Sequence, residues 1–194
     1  MSLSLVAALG NPGRQYELSR HNAGWLVVDA LAARHRLAWQ SAPPFEAEVA
    51  RWTLSAERTV WFVKPLTFMN ESGRSVAAMS RYYRIEPVDI AAVYDDLTID
   101  LGLIKVTVSG SSGGHNGAAS MLESVGTGFA RFRIGIGPRT PPEMDLKDFV
   151  LAPFSPEQLT LFQHKLDSFV TGLERLVHDG PDRAMNQLNR RDPS

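Results

Sequence analysis

The chain alternates short apolar runs with stretches whose apolar residues return at helical spacing, and this alternation decides its fold class. LSLVAAL, residues 3–9, predicts a strand that ends in the turn Gly10-Asn11-Pro12-Gly13. From Asn22 to about Arg36, Trp25, Val28, Leu31 and Ala32 fall on one face of a predicted helix. EVARWTL and RTVWFVKP predict two strands joined as a hairpin across the polar Ser55-Ala56-Glu57. A second helix is predicted from Glu71 to about Arg84, with Val76, Met79, Tyr82 and Tyr83 at helical spacing and Pro87 stopping it. DIAAVYDD reads as a buried strand and GLIKVTVS as one that alternates its faces. SGSSGGHNG is a glycine-rich loop feeding a helix over 117–125, and RFRIGIG is a further strand. Ser155-Pro156-Glu157-Gln158 supplies an N-cap, a proline at the first helical position and a capping-box glutamine. Leu159, Phe162, Leu166, Phe169, Leu173 and Leu176 then mark one apolar stripe up to Gly180. Interleaved strands and helices with one hairpin predict an α/β fold: a single domain over residues 1–194, with a twisted mixed β-sheet flanked by α-helices.

Composition narrows the function classes. The formal net charge is −1, so the chain as a whole is no electrostatic adhesive for nucleic acid, and any such contact must come from a local patch. With no cysteine, disulfides, thiolate nucleophiles and zinc–thiolate sites are excluded. The five histidines lack metal-ligand spacing, so no metal site is expected. No apolar run reaches membrane-spanning length. The opening MSLSLVAALG lacks a basic leader and reads as a strand rather than a signal peptide, which together with the missing cysteine fits a cytoplasmic location.

Open α/β sheets bind ligands beyond the C-terminal strand ends, where loops enter helices. Uncharged and mildly basic polar residues gather at those places here. Asn11 follows the first strand, His21-Asn22 opens the first helix, Asn70 precedes the second, and His115-Asn116 precedes the third. Asp95 ends the run IAAVYD. A histidine whose tautomer is fixed by a carboxylate is the commonest general base, so His21 and Asp95 are the candidate catalytic pair. No G-x-S-x-G elbow is present, and water activated by His21 is the simpler nucleophile. The asparagine amides of Asn11, Asn70 and Asn116 can hold a carbonyl and support its developing negative charge without adding charge of their own. Plainer explanations exist for each. Asn11 suits a turn, Asn70 and Asn116 suit helix N-caps, His21 could merely start a helix, and Asp95 could cap a loop or pair with an arginine. SGSSGGHNG also invites an anion-binding reading, but it lacks the Lys-Ser/Thr ending of a Walker loop and no G-x-G-x-x-G follows the first strand.

Five segments, LGNPGRQYELSRHNAGWLVVDAL, KPLTFMNESG, YDDLTIDLG, GGHNG and RFRIGIG, resemble the bacterial-type peptidyl-tRNA hydrolase family in order and spacing, from residue 9 to 137. The resemblance implies an enzyme that cleaves the ester joining a peptide to the terminal ribose of tRNA, freeing both for reuse. It implies a monomer without metal or cofactor, with peptidyl-tRNA as partner. His21 matches the family's base and Asp95 its carboxylate partner. Asn11, Asn70 and Asn116 match the peptide-binding and water-positioning asparagines. Tyr16 matches the tyrosine that meets the tRNA end, while Met69 and His115 match positions lining the peptide channel. Of the family's two basic residues that clamp the tRNA 5′ phosphate, Arg133 matches one. The other, a lysine, falls at Thr107, and Lys105, two residues away on the same face, is the candidate replacement. Arg14, Arg20, Lys147, Arg190 and Arg191 could extend a local basic surface. Two other classes stay open: a non-catalytic RNA-binding or splicing-type module on the same fold, and an esterase for small N-acylated amino-acid esters.

Overall fold

The structure, a computed structural model, describes residues 2–189; Arg190 and Arg191 lie outside the described residues. Seven strands form one sheet: β1 Leu5–Ala8, β2 Gln40–Ala42, β3 Ala47–Ser55, β4 Arg58–Pro65, β5 Ile90–Asp100, β6 Ile104–Thr107 and β7 Ala130–Gly137. Their order is β2-β3-β4-β1-β5-β7-β6. The four central strands β4, β1, β5 and β7 run parallel, whereas β2, β3 and β6 are antiparallel additions at the two edges. The predicted hairpin is the β3–β4 pair. Helices α1 Ala23–Arg34, α2 Ser72–Tyr83, α3 Asn116–Ser124, α4 Leu146–Leu151, α5 Pro156–Asp179 and α6 Pro181–Leu188 complete the chain.

Strand periodicity divides the core in two. Val6, Ala8, Ala91, Val93, Phe132 and Ile134 point to one face, where α1 and α5 cover them with Val28, Leu31, Phe162, Phe169 and Leu173. Leu5, Ala7, Leu9, Ala92 and Tyr94 point to the other, under Val76 and Met79 of α2 and Ala118 and Met121 of α3. Both faces being covered explains why β1 is apolar throughout rather than alternating. The stripe on α5 is buried at Phe162, Phe169, Leu173 and Leu176, and the predicted capping box at Ser155 and Gln158 is formed.

Some boundaries differ from the sequence reading. Helix α2 ends because Arg84 turns to φ 55° and caps it, before Pro87 is reached. Tyr82, at helical spacing with the core residues, is 70% exposed and packs edge-on against Phe45 and Tyr83 instead. Strand β6 is only Ile104–Thr107, an edge strand that borrows its register from β7.

Gly24, at the start of α1, sets how closely this helix approaches the sheet. A Cβ there would lie 2.4 Å from the Val93 carbonyl oxygen of β5 and 3.1 Å from that of Leu9. Both obstacles are backbone and cannot yield locally. Gly24→Ala is therefore expected to lower stability by about 1–3 kcal/mol, the usual range for overpacking. It should also push the His21 segment away from β5 and slow turnover. Denaturant unfolding beside a hydrolysis assay checks this; parental stability would show that the approach is not tight.

Candidate active site

Strand β5 ends its buried stretch at Asp95, and a short 3-10 turn over Arg20–Asn22 brings His21 against it. His21 Nδ1 lies 2.8 Å from Asp95 Oδ1. Both residues are buried, Asp95 at 2% exposure. An ionised carboxylate only accepts hydrogen bonds, so Nδ1 carries the proton and Nε2 keeps the lone pair. This is the tautomer a base needs.

A second histidine reaches the same oxygen. His115 Nε2 lies 3.0 Å from Asp95 Oδ1. Its Nδ1 accepts the Ala118 N–H at 3.1 Å, which makes the ring the N-cap of α3. That bond leaves the His115 proton on Nε2, so the imidazole must donate to Asp95. Burial alone would push the Asp95 carboxyl upward, but the two facing imidazoles outweigh it and hold the group well below the usual carboxylate range. The sequence reading placed His115 only on the channel wall. The structure makes it a second anchor for Asp95, a role spelled in GGHNG by a histidine where a helix cap is due. Among the described residues, His21, Asp95 and His115 are also the group that could converge on a metal ion. In the present wiring the His115 nitrogen that would bind it carries a proton and the other already accepts Ala118 N–H.

A channel of about 840 Å³ opens above this pair, within the range of ligand sites. Asn11, Tyr16, Met69, Asn70, His115 and Asn116, scattered in sequence, all line it. The asparagines are not equivalent. Asn11 is buried, and its side-chain oxygen accepts the Met69 N–H at 2.8 Å, which fixes how the amide is turned. Asn70 and Asn116 are exposed. Neither serves as a helix cap: the caps of the 3-10 turn Met69–Glu71, of α2 and of α3 fall on Phe68, Glu71 and His115.

Two neighbours of His21 hold it in place. Asn22 clasps the backbone of Asn11 twice, its Oδ1 accepting Asn11 N–H at 2.8 Å and its Nδ2 donating to Asn11 O at 3.0 Å. The His-Asn pair thus joins the loop after β1 to the turn that carries His21. Arg20, expected on a basic surface, is buried instead at 6% exposure. It donates to the carbonyls of Phe149 (3.0 Å) and Ala152 (3.3 Å) and to Gln158 Oε1 (2.6 Å), with the Phe149 ring 4.2 Å from its guanidinium. Burial pushes its pKa down. Carbonyl oxygens and an aromatic face replace the carboxylate that a buried cation usually requires. The result ties the His21 segment to α4, whose Leu146, Lys147, Val150 and Leu151 form a channel wall that sequence periodicity did not reveal.

The two candidate clamp residues stand directly across the β6–β7 pair, Lys105 opposite Arg133 and Thr107 opposite Arg131. Lys105 is exposed. Arg131 turns inward to the carbonyls of Ser111 and Gly110, both at 2.5 Å. Arg133 reaches toward the channel and meets Asp96, with Nε at 2.7 Å and Nη2 at 2.6 Å from Oδ2.

Comparison with known proteins points one way. The family profile described as peptidyl-tRNA hydrolase matches residues 5–194. The chain is 43% identical over 188 residues to the peptidyl-tRNA hydrolase of Symbiobacterium thermophilum, covering 95% of this chain and 98% of that one. It is 42% identical over 192 residues to that of Gloeobacter violaceus, covering 98% and 96%. The crystal structure of peptidyl-tRNA hydrolase from Acinetobacter baumannii superposes with a TM-score of 0.89 at 33% identity, covering 99% of this chain and 97% of that one.

Proposed function

Because this chain belongs to the peptidyl-tRNA hydrolase family, we propose that His21 activates the water that cleaves peptidyl-tRNA and that Asp95 orients His21 for it. The reaction is ester hydrolysis, in which peptidyl-tRNA and water give free tRNA and peptide. Nε2 of His21 takes a proton as the water oxygen attacks the ester carbonyl. Asp95 balances the imidazolium that forms. The carbonyl oxygen becomes an oxyanion, which neutral amide donors can stabilise without binding the product as a counter-ion would. When the tetrahedral intermediate collapses, the ribose oxygen leaves and recovers the proton from His21.

The amide geometry suggests how roles divide. The Met69 N–H fixes the Asn11 amide by its oxygen, and its Nδ2 hydrogens suit the oxyanion. Asn70 and Asn116 are free to donate and to accept, as a peptide backbone requires of a site that ignores side chains. Tyr16 and Met69 line the same channel. Lys105 and Arg133 are proposed to hold the tRNA 5′ phosphate. Every group used comes from one chain, so the reading needs no second subunit, metal or cofactor. The proposed tRNA-borne substrate supports a cytoplasmic location. Among the described residues no helix is long and apolar enough to cross a membrane.

The observation that carries this reading is the 2.8 Å contact between His21 and Asp95 at the floor of an asparagine-lined channel. Turnover of an N-acylated aminoacyl-tRNA compared with that of the same N-acyl amino-acid ester without tRNA tests it. The tRNA ester should be strongly preferred. Activity on the small ester alone would point to a simple esterase, and activity on neither to a non-catalytic module. Within that assay, Arg133→Ala should raise the KM for the tRNA substrate by about tenfold in dilute salt, and by less in concentrated salt, where phosphate contacts are already weakened. A KM that does not move would remove Arg133 from the clamp.

A further inference from the structure

The end of α4 is grafted onto the residues that lead into His21. Ser19 forms a β-bridge with Pro153. On either side of it, Arg20 N–H donates to Ala152 O at 3.1 Å and Phe154 N–H donates to Leu18 O at 3.3 Å. Pro153 has no N–H, so the Phe149 carbonyl four residues before it lacks an intrahelical partner. Arg20 Nη1 supplies the missing donor at 3.0 Å and reaches Ala152 O at 3.3 Å as well. Its Nη2 goes to Gln158 Oε1, while Nε, equally buried, has no partner among the described residues. Every hydrogen bond of this guanidinium therefore runs to the end of α4 or the first turn of α5, and the cation sits at the negative pole of α4.

Six residues are too few for a helix to hold its place by its own hydrogen bonds, so α4 lies where its contacts put it. Phe149 fixes one side in the core. Leu146, Val150 and Leu151 line the channel, where a bound peptide would complete their packing. The other flank of His21 is tied to the loop after β1, through Asn22 and Asn11. Arg20 is thus the side chain that stands between the catalytic turn and a wall on which the substrate itself can press. We propose that Arg20 is a positioning residue that couples α4 to His21, so that a peptide long enough to lie against Leu146, Val150 and Leu151 steadies the base. Binding energy from a part of the substrate remote from the ester then appears in kcat and not only in KM. This rests on the reading of His21 as the base and of the channel as the seat of the peptide.

The test compares kcat and KM for one tRNA charged with either a single N-acylated amino acid or an N-acylated oligopeptide. In the parent, the longer peptide should have the higher kcat. With Arg20→Met, kcat for the longer peptide should fall by about tenfold, a modest case of the loss that misplacing a catalytic group produces. The ratio of the two kcat values should then approach unity, while the ratio of the KM values stays. Arg20→Lys keeps the charge but cannot span Phe149, Ala152 and Gln158 together, so it should show an intermediate ratio. It carries the test if Arg20→Met does not fold. A merely structural role would depress both substrates together and leave the kcat ratio at its parental value, which would overturn the proposal. So would a parent whose two substrates differ in KM alone; in either case His21 stands as the base. Hydrolysis of neither substrate by the parent would bring down the reading of the site and the proposal with it.

Discussion

His21→Ala is expected to lower single-turnover hydrolysis of an N-acylated aminoacyl-tRNA by roughly 10²–10⁴-fold, the range that a positioned general base contributes. Binding of the tRNA should persist, because the Lys105–Arg133 rim lies on a different strand pair from the turn that carries His21. The expectation follows from the tautomer. With Nδ1 donating to Asp95, Nε2 is the one basic nitrogen the pair presents to the channel. His115 cannot take over, since its Nδ1 is occupied by Ala118 N–H and its Nε2 proton is committed to Asp95. Single-turnover conditions matter because they separate chemistry from product release. Parental rates in this variant would remove His21 from the reaction, and loss of tRNA binding in step with loss of rate would make it a structural residue instead.

Much of this site was legible in the sequence, for a definite physical reason. Asn11, His21, Asn70 and Asn116 stand where strands give way to helices, and parallel connections bring those junctions to one end of the sheet, beside the point in β5 where the buried stretch ends at Asp95. Position along each element was enough to collect them. What was not legible depended on partners far along the chain. Nothing near Arg20 predicts burial, since Phe149, Ala152 and Gln158, which receive it, are supplied by α4 and the start of α5. Asn22 looked like the lesser half of a His-Asn pair until Asn11 proved to be its partner. Asp96 directly follows Asp95, but successive strand residues face opposite ways, and the cation that meets this second carboxylate, Arg133, comes from β7. Short elements such as β2 and α4 span too few residues for any period to register.

Asp95→Asn should be nearly as damaging as loss of the base, with kcat falling by about a hundredfold or more and KM changing little. The carboxylate accepts from His21 and His115 through one oxygen. An asparagine can turn its carbonyl to that point and keep both contacts, but then no negative charge faces the imidazolium as it forms. If it presents its NH₂ group instead, His21 Nδ1 must accept, the proton moves to Nε2, and the base is lost. Either arrangement slows the proton transfer. The pH dependence tells the same story with its sign fixed. Because Asp95 is held below the usual carboxylate range, it stays ionised across about pH 4–8, and acid inactivation of the parent in that interval does not come from its protonation. The stability it contributes is likewise complete above about pH 4 and is withdrawn only as pH falls through its lowered folded-state value. A parental kcat in Asp95→Asn would mean that the carboxylate neither orients His21 nor balances its charge, and a raised KM at unchanged kcat would make Asp95 part of substrate binding instead.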